Sequence, residues 1–138
     1  MSGRLIFAGS VLVLTVLGAS CSDGANAPAD AVLPVRTIEA GSVKLAITPT
    51  RFDNRGARFS ISLDTHSGDL SMDLAASASL NVEGKTWPGA GWSGDGPSGH
   101  HRSGNLRFES AGPARGTARL TITGFPKPVE ATWRLRNG

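Results

Sequence analysis

Only one cysteine, Cys21, occurs in 138 residues, so the chain closes no intramolecular disulfide. Long apolar runs are also scarce. The one present, Leu5 to Leu17, falls short of the roughly 20 residues a transmembrane helix needs. Lys and Arg form no stripe interleaved with aromatics, and Arg51, Arg55 and Arg58 are their nearest approach to a cluster. A nucleic-acid partner is excluded on that ground. After Cys21 the only methionine is Met72, on an apolar face, which leaves no methionine-rich copper(I) site. There is no internal repeat and little 3.6-residue periodicity. The GxSxG pattern of a nucleophile elbow is missing, and Ser67, Ser98 and Ser103 near the histidines lack its strand–turn–helix context. With a domain too small to offer much of a cleft, the chain reads as a binding protein and not an enzyme.

What is there begins with Arg4, the apolar run and then small residues, the layout of a secretory signal peptide over residues 1–20. The cysteine follows directly. The stretch "LGASC" resembles the lipobox of bacterial lipoproteins. Ala19 and Ser20 are small, as that family requires, while Gly18 stands where it usually has Leu, and Leu17 lies one position further back. The resemblance implies that Cys21 becomes the lipidated N-terminus. The lipid bilayer is then a partner, and the protein sits anchored on the extracytoplasmic face of a cell membrane. Of the 14 Lys and Arg, Arg4 alone precedes Cys21, leaving 13 against 11 acids, about +2.

Residues 21–34 are rich in Ala, Asp and Pro and poor in large apolar residues. Such a composition buries too little surface to order itself, so it reads as a flexible linker. Residues 35–138 form one small domain. Its periodicity is two: Val43, Leu45, Ile47; Phe59, Ile61, Leu63; Leu70, Met72, Leu74; Leu80, Val82; Leu106, Phe108; Ala118, Leu120, Ile122; Val129, Ala131, Trp133, Leu135. Alternation of this kind marks strands with one buried and one solvated face. Turn formers separate the runs, among them Asp53-Asn54-Arg55-Gly56, Gly112-Pro113 and Gly124-Phe125-Pro126. The spacing predicts an all-β, antiparallel, immunoglobulin-like β-sandwich of about seven strands.

The three histidines fall in two segments, "LDTHSGDL" around His66 and "PSGHHRSG" around His100 and His101. Leu63 belongs to a buried face, so Asp64 and His66 share the opposite one. Residues 85–104 hold six glycines and two prolines and read as one long loop, the kind that is functional or disordered. Trp87 and Trp92 argue for a loop folded back on the sandwich.

Two functions follow as expectations. In the first, His66, His100 and His101 with Asp64 or Asp95 hold a transition metal, zinc or copper, since imidazole with carboxylate suits both. In the second, the Trp87/Trp92 loop and a sheet edge contact an envelope protein, and the histidines only brace the loop.

Overall fold

The computed structural model describes residues 32–136. The predicted signal peptide, Cys21 and residues 21–31 of the predicted linker lie outside the described residues. Nine strands and one short helix are found among those described: β1 Arg36–Ala40, β2 Val43–Asp53, β3 Gly56–Thr65, α1 Leu74–Ser77, β4 Ala78–Val82, β5 Lys85–Trp87, β6 Gly89–Gly94, β7 His101–Glu109, β8 Gly116–Ile122 and β9 Val129–Leu135. No helix among them is long and apolar enough to cross a membrane.

The strands form two antiparallel sheets, ordered β1-β2-β3-β7-β6 and β5-β4-β8-β9. Their buried faces share one core, which makes the domain a two-sheet β-sandwich. Alternation sets those faces as the sequence predicts. Leu45, Ile47, Phe59, Ile61, Leu63, Leu120 and Ile122 are all fully buried. Phe59 sits where the sheets meet, 5.9 Å from Phe52, 6.0 Å from Phe108 and 5.3 Å from Trp133 of the opposite sheet. At the β1–β9 side, Arg36 donates to the Thr132 carbonyl at 3.1 and 2.9 Å, and Trp133 Nε1 donates to the Pro34 carbonyl at 2.7 Å.

Three expectations need correcting. An immunoglobulin domain puts its first, second, fifth and fourth strands in one sheet, whereas here the first three form a meander joined by tight turns. The long loop of residues 85–104 is largely strand, holding β5, β6 and the start of β7. Its glycines permit this rather than prevent it: Gly94 lies opposite Gly104. A Cβ on Gly104 would stand 2.6 Å from the Trp92 ring and 2.8 Å from the Gly94 Cα.

Finally, Leu70, Met72 and Leu74 alternate but form no strand. Leu70 and Leu74 are buried, yet the segment is the crossover between the sheets. Asp73 ends it by capping α1, accepting from Ala75 N at 3.0 Å and Ala76 N at 3.1 Å.

Because Phe59 joins both sheets, Phe59→Ala is expected to cost about 3–5 kcal/mol. Urea unfolding checks this through a lower midpoint at an unchanged slope. A loss below about 1 kcal/mol would contradict its place at the centre of the core.

Candidate functional site

The two histidine segments meet. β3 and β7 are neighbours in register, with Leu63 opposite Arg102 and Asp64 opposite His101. The Thr65 amide donates to the His100 carbonyl at 2.8 Å, which carries the pairing one residue past β7. Directly opposed side chains on one face have Cβ atoms about 4.5–5.5 Å apart. Asp64 and His101 use that proximity, with Nδ1 of the imidazole 2.5 Å from Oδ1 of the carboxylate.

His66 is placed by the turn after β3. The Thr65 hydroxyl is buried there, donating to the Ser42 carbonyl at 3.0 Å and accepting from the amides of Ser67 at 3.3 Å and Gly68 at 2.6 Å. A Cβ on Gly68 would lie 2.6 Å from that hydroxyl and 2.8 Å from Ser42 Oγ, so the turn packs onto the β1–β2 connection only with glycine. The outcome is an open depression of about 480 Å³ whose lining includes Glu39, Lys44, Asp64, His66, His100 and His101.

His101 is the most electrostatically tuned group here. The hydrogen bond that Nδ1–H donates to Asp64 raises its pKa above the ordinary value near 6.5, helped by the Asp64 charge and the Asp95 charge against slight desolvation. The side chains of His66 and His100 are exposed and make no hydrogen bond among the described residues. No three His, Cys, Asp or Glu side chains converge as a preformed metal-ligand group among the described residues.

Of the remaining predicted residues, Asp95 stands apart from the depression. Its carboxylate accepts from the amide of Ser103 at 2.8 Å and from its hydroxyl at 3.1 Å, and these two bonds, amide first, hold its pKa low. Trp87 is buried in the core, 5.3 Å from Phe52, and presents nothing to a partner. Trp92 is half-buried and donates from Nε1 to the Asp95 carbonyl at 3.0 Å. The Trp87/Trp92 contact loop is therefore not a loop, and its aromatics face inward.

The residue that sequence reading missed is Arg102. It is buried on the inner face of β7. From there it donates to the carbonyls of Leu70 at 3.0 Å, Met72 at 2.6 Å and Asp95 at 3.1 Å, with its guanidinium 5.2 Å from the Trp92 ring centre. The signal was available: extending the Leu106 and Phe108 alternation backward puts residue 102 inside and His101 outside.

Comparison with family models, curated proteins and solved structures returns no match. The site has to be read from its own chemistry.

Two outcomes are expected. In metal-free protein, the His101 imidazole titrates above 6.5 by NMR, and Asp64→Asn returns it toward 6.5. The folded-state pKa is the raised one, so the pair's contribution to stability is complete below about 6.5 and is lost as pH rises through the raised value. Arg102→Leu takes the donor from the buried Leu70 carbonyl and from that of Met72, while the Asp95 carbonyl keeps Trp92 Nε1, and is expected to cost about 3 kcal/mol in urea unfolding. A neutral result would remove Arg102 as the clamp of this end.

Proposed function

We propose that the depression binds a divalent transition metal, zinc or copper, on an extracytoplasmic module tethered to the membrane through Cys21. The observation that carries this reading is the gathering of all three histidines at one end of one sheet, with Asp64 holding Nδ1 of His101. That bond leaves Nε2 as the free nitrogen of the ring. A carboxylate behind a ligating imidazole fixes its tautomer and raises its basicity.

Asp64 then orients rather than ligates. His66, His100 and His101 supply imidazoles, and Asp95 steadies the neighbouring backbone through Ser103. Imidazole donors suit zinc and copper, whereas calcium and magnesium take oxygen. Three imidazoles on an open surface leave coordination positions for water or for a side chain of a second protein, which suits an ion that is handed on. The lipobox-like start and the Ala/Pro-rich linker support a site kept within reach of other envelope proteins.

Thermal unfolding of chelator-stripped protein, with and without zinc or copper, tests the proposal. Ligand at about a hundred times Kd contributes about 2.7 kcal/mol to the native state, a rise of several degrees for a domain of this size. His66→Ala and His101→Ala are expected to abolish the rise while leaving the metal-free Tm nearly unchanged. The rise shrinks at acid pH, because proton and metal compete for Nε2. No rise with either ion would contradict the reading.

A further inference from the structure

At the far end of the five-stranded sheet from the histidines, the outer face carries a feature the metal reading does not use. Arg51 lies directly opposite Arg58 across β2 and β3, and Arg58 directly opposite Arg107 across β3 and β7. All three are exposed. Strands are spaced about 4.8 Å apart, so three consecutive strands carry the row across about 10 Å.

Like charges directly opposed in a sheet are destabilising, and here two such pairs share the middle residue. Partners for the charge are few. Asp53 takes the guanidinium of Arg51 at 2.7 Å. Glu109 stands two residues past Arg107 at the sheet end, and among the described residues neither Arg58 nor Arg107 makes an ion pair. The fold tolerates an arrangement that costs it stability.

Next to the row the same face carries short polar side chains, with one carboxylate, Asp95, held at the histidine-side edge by Ser103. Thr48, Ser60, Asn105 and Ser93 lie opposite one another across four strands, followed by Ser62 opposite Ser103. These short side chains present hydroxyls and an amide, which both donate and accept hydrogen bonds. Arginine forks bind carboxylate and sulfate-like groups bidentately.

A bilayer is the poorer match. The large apolar side chains exposed among the described residues, Val32 and Val35, precede β1 and are not on this face. Bases of a nucleic acid would find no aromatic side chain in these rows to stack on. We propose that this face binds an acidic polysaccharide, its anionic groups on the Arg51–Arg58–Arg107 row and its hydroxyls over the Ser/Thr/Asn plateau.

Calorimetric titration of the purified protein with polygalacturonate and with heparin at low salt tests this directly. Binding to at least one is expected, weakening as salt screens the charges. Arg58→Gln and Arg107→Gln should each lower the affinity about tenfold, the worth of one charge-assisted contact. Without ligand, both variants should melt no lower than the wild type, because each removes a like-charge opposition.

Absence of binding to both polysaccharides would overturn the proposal. So would affinity unchanged in Arg58→Gln and Arg107→Gln, or Arg-dependent binding to phosphatidylglycerol vesicles or an oligonucleotide in place of both. A variant melting well below wild type would overturn the claim that the row is strained by its own charge.

Discussion

A guanidinium buried in the sandwich organises the end of the molecule that carries the histidines. Arg102 faces Leu63 on the inner side of the five-stranded sheet, and among the described residues no carboxylate pairs with it. A buried charge without hydrogen bonds would cost far more than the domain's whole stability. Here carbonyls of residues 70, 72 and 95 receive its N–H groups, and the Trp92 face covers it. Those carbonyls belong to the crossover between the sheets and to the residue that follows β6. One side chain thereby ties two segments to β7.

The histidine arrangement follows from the same constraint. With Arg102 turned inward, strand geometry turns His101 outward, and the β3–β7 register brings it against Asp64. Thr65, the one other buried polar residue among the described residues, secures the turn that carries His66. Two inward polar groups thus fix the backbone from which the outward-facing imidazoles project. The site itself remains open and solvent-exposed, with one ring held by Asp64 and two exposed rings without a hydrogen bond among the described residues. That combination suits reversible capture of an ion more than a sealed structural site, which would be closed by four fixed ligands.

Much of the fold was legible because apolar side chains record the faces of strands. Val43–Leu45–Ile47 and Phe59–Ile61–Leu63 report their own burial, and Asp64 falls on the other face as the alternation requires, while His66 lies past the end of β3 and is placed by the turn. β5 and β6 were not legible in the same way, since glycine has no side chain to record a period, and so β6 looked like loop. The Leu70–Met72–Leu74 run misled for the opposite reason. Its period is right for a strand, but its carbonyls are taken by Arg102 and its end is capped by Asp73. The meeting of residues 64 and 101 depends on strand order, which local pattern does not encode. The arginine row shares that origin, since Arg107 joins Arg51 and Arg58 only through the register of β7.

The metal proposal requires that His66 and the adjacent pair His100 and His101, distant from it in sequence, act as one site. Zinc titrated into metal-free protein, followed through the imidazole Cε1–Hε1 resonances, tests it most directly. The account predicts that His66, His100 and His101 respond together and saturate at one ion per chain, with His101 bound through Nε2. Independent responses, or a response confined to His101, would show that the imidazoles share a surface but not an ion.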